Sequence, residues 1–467
     1  MKKVLLFGAG KSATVLIDYL VKHSVSQQWT LTVVDADLAL AQGKIGNAPG
    51  CMAVSFDINH EDDRRAHIMT ADIVISLLPP ALHFLVAGDC LIYKKNLLTA
   101  SYVDEQMKSM QSEIEKAGLL FLCEMGLDPG IDHMSARKMI DAIQKDGGKI
   151  TSFLSHCGGL VAPESDDNPW HYKVSWNPKN IVMAGKSGAV FKQNNHTVTM
   201  NYDQLFSQKR FVAVNGNEPL CWYPNRDSLG YTSIYGLEDC ATFIRTTLRH
   251  PDFIYGWKNI IDLKLTDHTP AYETTRKSLK DFFKEHLDKH GFTNWLQQKM
   301  MEQFEFSRKI LEDLAVWMGI EDAIQEGGEA KVEEMMLVND KGNLEELDTD
   351  LVKLNAAAAV ADKMQEAKLL LKQLFFLGID DDKTEINKGL CSAADVLQLV
   401  LEKKLALLPG DKDLVVMIHE IEFAKGGQRY KHTSSLALHG ENDHHTAMAK
   451  TVGLPLGIAA KLILDGT

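Results

Sequence analysis

Val4-Leu5-Leu6-Phe7-Gly8-Ala9-Gly10-Lys11-Ser12-Ala13, at the start of the chain, decides the fold. Four consecutive apolar residues suit a strand buried on both faces. The GxGxxA that follows lets the backbone turn sharply, approach a pyrophosphate and enter a helix packed close on the sheet. Val15, Leu16, Tyr19 and Leu20 continue at helical spacing, so the helix N-terminus and its partial positive charge point at the phosphates. A second apolar run, Leu31-Thr32-Val33-Val34, ends at Asp35, 22 residues beyond Ala13, where a carboxylate accepts hydrogen bonds from the adenosine ribose hydroxyls. Strand, glycine turn, helix, strand and acid together mark a dinucleotide site. Gly10-Lys11-Ser12 does not make an ATPase-type phosphate loop, because that motif needs a glycine where Leu5 stands.

Asp35 also bears on the choice of nicotinamide cofactor. A carboxylate there repels a 2'-phosphate, Asp37 adds a second negative charge, and no Lys or Arg follows before Lys44. NAD rather than NADP is therefore expected. Either aspartate also suits the N-cap of a helix beginning near Leu38.

At 467 residues the chain exceeds a single core and should divide into two or three domains. Its 45% hydrophobic and 24% charged content is that of an ordinary globular protein, and a net charge of -13 leaves no broad basic face for nucleic acid or anionic lipid. Neither nucleic acid nor membrane is expected as a partner. The apolar run after Met1-Lys2-Lys3 is too short for a signal peptide, and the longest apolar stretch, residues 71–88, contains Asp72, Pro79, Pro80 and His83. The seven cysteines are scattered without a CxxC pair and read as reduced thiols of a cytoplasmic protein. His286 and His290 have i, i+4 spacing among Lys284, Glu285, Asp288 and Lys289, which reads as a solvated helix face; no metal is expected.

Further buried runs follow at regular intervals. Met52-Ala53-Val54-Ser55-Phe56 ends at Asp57, residues 71–78 stop at two prolines, and Leu97-Leu98-Thr99-Ala100 leads to Ser101-Tyr102. Leu119 to Cys123 forms a sixth strand, and a helix over 104–116 intervenes. The expected fold is α/β: a Rossmann-type, doubly wound parallel sheet over residues 1–125, joined by 441–467. A second α/β domain with a mixed sheet, for substrate, is expected over 126–270, joined by 411–440. A helical insertion occupies 271–410, with a capping box at Ser392 and Asp395. Gly426-Gly427 splits a hairpin, and Gly453-Leu454-Pro455 breaks a final helix that returns to the first domain.

Four loops can meet at the nicotinamide: Ser101-Tyr102, residues 128–132, Cys157-Gly158-Gly159, and Asn225-Arg226-Asp227 with Arg245 and Arg249 beyond. Taken singly, each has an ordinary structural explanation. Together, LDPGIDHM at 127–134, HCGGLVAPESDDNPWHYKVSW at 156–176 and YPNRDS at 223–228 resemble the saccharopine dehydrogenases of the glutamate-forming type. So do SLLPPALH at 76–83, SYV at 101–103 and the final MAKTVGLPLGIAAKLILDGT.

The resemblance implies oxidation of the secondary amine of saccharopine by hydride transfer to the nicotinamide, then hydrolysis to glutamate and 2-aminoadipate 6-semialdehyde, or the reverse. It also implies a homodimer. On this footing Gly8, Gly10, Lys11, Ser12 and Ala13 hold the pyrophosphate, Asp35 the ribose, and Asp57 and Ile58 the adenine side. Leu78, Ala100, Leu127 and Ser175 line the nicotinamide half. Ser101, Tyr102, Arg226, Thr247, Leu248 and Arg249 bind substrate. Tyr102, Asp128 and Cys157 lie nearest the reacting carbon. The chemistry needs a proton relay, either Asp128 or a water bound near Cys157, and Asp128 is expected to be the principal one. Two arginines suit the three carboxylates of saccharopine and argue against a carboxyspermidine dehydrogenase, whose polyamine is cationic. A non-catalytic dinucleotide sensor would have no use for Tyr102, Asp128, Cys157 and Arg226 together. Better-known members of the family use NADP and carry an arginine beside the position of Asp35. Ala36 and Asp37 stand here, in keeping with NAD.

Overall fold

The structure, a computed structural model, describes residues 1–214, 218–302, 305–306, 308–310, 312, 336–338, 344–346 and 349–466. By internal contacts it divides into one unit of residues 1–255 with 401–467 and a second of 256–400.

The first unit opens with β1 (Lys2–Phe7), β2 (Trp29–Val34), β3 (Cys51–Val54), β4 (Ile73–Ser76), β5 (Asn96–Thr99) and β6 (Phe121–Leu122). They form one parallel sheet in the order β3-β2-β1-β4-β5-β6. The order reverses at β1, which puts a ligand crevice at the carboxyl ends of β1 and β4. Alternation along β1 explains the continuous apolar run. Val4 and Leu6 face a core made with Leu16, Ile17 and Leu20, whereas Leu5 and Phe7 face one made with Val86, Ala87 and Cys90. Gly8 has φ +99, and a Cβ there would lie 2.8 Å from the Leu77 carbonyl oxygen, so only glycine fits between β1 and β4.

The helix predicted over 104–116 is two helices, Glu105–Ser109 and Gln111–Lys116. The final helix, Ala447–Asp465, is unbroken and contains Pro455. Its tertiary contacts outweigh the roughly 3 kcal/mol that an internal proline costs. Gly453 and Gly457 bring it onto Leu16 and Tyr19, so it does return to the first sheet. By length and composition it is apolar enough to cross a membrane; half of it is buried against this core.

A second sheet of nine strands contains β7 (Lys149–Val161), β8 (Ala189–Gln193), β9 (His196–Met200), β10 (Arg210–Val212), β11 (Leu220–Pro224), β12 (Arg226–Asp227) and β13 (Thr242–Arg249). β13 pairs parallel to β7 and antiparallel to β11. Arg245 and Arg249 therefore sit on an interior strand rather than in a loop.

The second unit contains the helix Leu279–Lys289, the long helix Thr349–Leu377, and short strand pairs β14 (Tyr272–Glu273), β15 (Met336–Val338), β16 (Leu344–Glu346) and β17 (Leu390–Cys391). It is thus not wholly helical, and part of the predicted helical stretch, 313–335 included, lies outside the described residues. The helix Ala393–Lys404 has the expected capping box: Asp395 N donates to Ser392 Oγ at 3.1 Å and Ser392 N to Asp395 Oδ2 at 3.0 Å. His286 is fully buried, not solvated. Its Nδ1 lies 2.7 Å from Tyr272 Oη and its Nε2 2.7 Å from the Leu263 carbonyl, because Phe282 and Phe283 carry this helix face inward.

Back in the first unit, β18 (Asp413–Lys425) and β19 (Gln428–His439) form the hairpin predicted around Gly426-Gly427, both at positive φ. β18 pairs antiparallel with β7, giving the order β10-β11-β13-β7-β18-β19, so β19 is an edge.

Candidate active site

A cavity of about 710 Å³ within the first unit runs from the glycine turn, at Gly8, Gly10, Lys11, Ser12 and Ala13, past Asp35, Leu78, Ala100, Ser101, Tyr102, Leu127 and Asp128. It ends at Cys157, Arg226, Thr247 and Arg249. These predicted residues come together from the ends of the first sheet and the carboxyl end of β13. Alternation on β13 sends Arg245, Thr247 and Arg249 to one side. Leu248 faces the other way, its side chain in a core with Leu414, Val416 and Ile418. Ser175 is buried but does not line the cavity. Asp57 is exposed, bonded to Asn59, and Ile58 packs on the first sheet's core.

The polar centre is built on Asp128. Its Oδ1 accepts from Tyr102 Oη at 2.7 Å and from Arg245 NH2 at 2.5 Å, and the same guanidinium donates to Asp132 Oδ2 at 2.8 Å. Asp132 Oδ1 accepts from Gly130 N at 2.7 Å, which ties this loop to the start of the helix Ile131–Lys145. Desolvation raises the Asp128 pKa above the ordinary carboxylate value, although Arg245 pulls the other way. Burial drives Tyr102 and Cys157 well above their usual values, so both are neutral at physiological pH. Burial also opposes the charge of Arg245, but Asp128, Tyr102 and Asp132 more than compensate and raise its pKa.

The second buried arginine is different. Arg249 donates from NH1 to the carbonyls of Leu248, at 2.8 Å, and Gly159, at 3.4 Å, and its guanidinium lies over Tyr172 and Phe253. Its Nε has no partner and no carboxylate pairs with it among the described residues, though the residue is only 4% exposed. Arg226, at φ +51, lies over the Tyr102 ring.

His83 holds Ser101. Its Nδ1 lies 2.8 Å from Ser76 Oγ and its Nε2 2.7 Å from Ser101 Oγ; burial lowers its pKa to about 4 and keeps it neutral. Neither His83 nor the Arg245–Asp132 pair is assigned by the sequence reading. The available signal was the repeat of Arg245 and Arg249 at four-residue spacing, which puts both on one face of a strand. One trio, His171, His250 and Asp252, is close enough to hold a metal. Its imidazole is already engaged, with Nδ1 2.5 Å from Asp166 Oδ2 and Nε2 3.3 Å from Asp252 Oδ2, and the arrangement reads as an ion pair.

A doubly wound parallel sheet with a glycine turn at its switch point, opening into a cleft with buried cationic and carboxylate groups, defines a dinucleotide-dependent oxidoreductase of Rossmann type. Comparison with known proteins narrows this. The profile described as "Saccharopine dehydrogenase NADP binding domain" matches residues 4–122, and "Saccharopine dehydrogenase C-terminal domain" matches residues 126–467. The chain belongs to the saccharopine dehydrogenase family.

It is 29% identical over 470 residues to the saccharopine dehydrogenase [NADP(+), L-glutamate-forming] of Pyricularia oryzae, covering 100% of this chain and 91% of that protein. The Saccharomyces cerevisiae protein of the same name is 30% identical, at 100% and 92% coverage. The apo structure of the L-Glu-forming enzyme from S. cerevisiae superposes with a TM-score of 0.74 at 27% identity, covering 100% of this chain and 92% of that one.

These findings overturn the expectation of NAD. The matching domain is described as NADP binding, and the relatives carry NADP(+) in their names. The structure supplies a physical reason why Asp35 misleads. Its carboxylate accepts from Ala9 N at 2.7 Å and Asp37 N at 3.0 Å, so it braces the glycine turn. Asp37, not Asp35, caps the next helix, accepting from Leu40 N.

Proposed function

We propose that the chain oxidises saccharopine with NADP and hydrolyses the resulting imine to glutamate and 2-aminoadipate 6-semialdehyde, in lysine metabolism. Arg249 is the observation that carries this reading. A buried guanidinium without a counterion among the described residues, at the far end of a cavity that begins on a dinucleotide turn, awaits an anionic substrate group, and saccharopine has three carboxylates. Arg226 suits a second. The glycine turn, which tolerates no Cβ at Gly8, fits a pyrophosphate, and bound NADP would take the hydride from the carbon bearing the amine.

Asp128 suits the proton work. Its Oδ1 is held by Tyr102 and Arg245, which leaves Oδ2 to accept a proton from the secondary ammonium and, once that proton has passed to solvent, to take a second from the attacking water. Its raised pKa brings it closer to neutrality. Tyr102 and Cys157, both neutral, position and enclose the reacting carbon rather than ionise. His83 orients Ser101 toward the substrate. Product analysis tests the reading: incubation with saccharopine and NADP should yield glutamate and the semialdehyde in equal amounts, and their absence would reject it.

A homodimer and a cytoplasmic location belong to the same proposal. β19 supports the first, as a 12-residue edge strand exposed along nearly its whole length, suited to pairing with a second copy. The seven free thiols are in keeping with the second.

A further inference from the structure

The residues directly after Asp35 supply no cation for a 2'-phosphate, but the last turn of the helix Leu38–Ile45 does. Lys44 folds back to the glycine turn, where Nζ donates to the Gly10 carbonyl at 2.6 Å and to Thr14 Oγ1 at 2.8 Å. Both acceptors are neutral. Among the described residues Lys44 forms no ion pair, although the charge of Asp35 is close enough to act on it. Burial is the larger influence and lowers its pKa to about 8 against the charges of Asp35 and Asp18, which raise it, so the ammonium stands partly desolvated beside the turn, hydrogen-bonded only to neutral acceptors. Asp35, meanwhile, has each carboxylate oxygen taken by a backbone N–H. An adenosine ribose resting on this turn carries its 2'-oxygen toward the end of β2, which is the side that Lys44 occupies.

We propose that Lys44 receives the 2'-phosphate of the dinucleotide and sets the preference for the phosphorylated cofactor, in place of an arginine beside Asp35. This rests on the reading of NADP as the cofactor. A phosphate here gives the partly buried ammonium a directly bonded anion in addition to the more distant charges of Asp35 and Asp18, and the Gly10 carbonyl and Thr14 hydroxyl orient the amine until it arrives.

Calorimetric titration with adenosine 2',5'-bisphosphate and adenosine 5'-monophosphate, which differ only in the 2'-phosphate, tests the assignment without turnover. The wild-type protein should bind the bisphosphate more tightly. In Lys44→Gln the bisphosphate should weaken about ten- to a hundredfold, the range of one charge-assisted contact, while the monophosphate changes less than about twofold. Lys44→Arg should retain the preference. A Lys44→Gln protein that keeps the wild-type preference, or that loses both ligands equally, overturns the role of Lys44 alone. A wild-type protein with no preference overturns the NADP reading and this proposal with it.

Discussion

Arg245 and Arg249 lie four residues apart on one strand, both buried, and methionine in their place should have opposite consequences. Arg245 NH2 bonds to two carboxylates, Asp128 and Asp132, at 2.5 and 2.8 Å, with side-chain exposures of 13% and 1% for the acids. Arg245→Met leaves both acids uncompensated in the interior, a change that costs about 3–5 kcal/mol. Arg249 has no acid. Arg249→Met gives up a cation–π contact of about 0.5–2 kcal/mol with Tyr172 and Phe253, but it also removes an unpaired buried charge, so the net stability change should stay within about 1 kcal/mol. Substrate binding should show the reverse emphasis. Losing the partner of a buried carboxylate costs about 2–5 kcal/mol, or at least thirtyfold in kcat/KM for saccharopine. Urea denaturation and steady-state kinetics of the two variants decide the matter. If Arg249→Met loses as much stability as Arg245→Met, or turns over saccharopine with wild-type KM, the reasoning about the unpaired guanidinium is wrong.

Three further outcomes are expected. Asp128→Asn should lower kcat about 10²- to 10⁴-fold while NADP affinity, measured by fluorescence, stays at the wild-type value; an unchanged kcat would assign the proton relay elsewhere. Gly457→Leu should lower Tm, because even a Cβ at this position falls 2.6 Å from Tyr19 Cδ1, and overpacking of this kind costs about 1–3 kcal/mol; an unchanged Tm would mean that the final helix packs differently. His171 has its pKa raised to about 9, chiefly by hydrogen bonds to Asp166 and Asp252. A raised pKa contributes stability in full below the unfolded value of 6.5 and loses it as pH rises through about 9, so Tm should fall across that window. In His171→Asn that slope should be absent.

The first sheet is legible in the sequence because its signals are local. A buried strand, a glycine turn and an amphipathic helix each declare themselves within ten residues, and Gly426-Gly427 or Ser392 with Asp395 do the same for a hairpin and a helix start. β13 is not legible in this way. Both of its faces are buried and its arginines interrupt the apolar run, so Thr242–Arg249 lacks the alternation that marks a half-exposed strand. Pro455 misleads for a related reason, since packing against Leu16 and Tyr19 decides the helix and a proline is read as a stop. The cofactor error has the same origin. Asp35 suggests ribose recognition when only its own neighbours are read, whereas the hydrogen bonds from Ala9 and Asp37, and the approach of Lys44 from the next helix, exist only in the folded chain. Most of the residues assigned from motif resemblance do line the cavity, but the resemblance gave no hint that Asp128 is held by Arg245, because that pairing spans 117 residues.

The most direct measurement is the initial rate of NADPH formation by the purified protein with saccharopine as the amine. Saturable turnover is expected that depends on both saccharopine and NADP and collapses in Arg249→Met. A protein that binds NADP but forms no NADPH from saccharopine would contradict it.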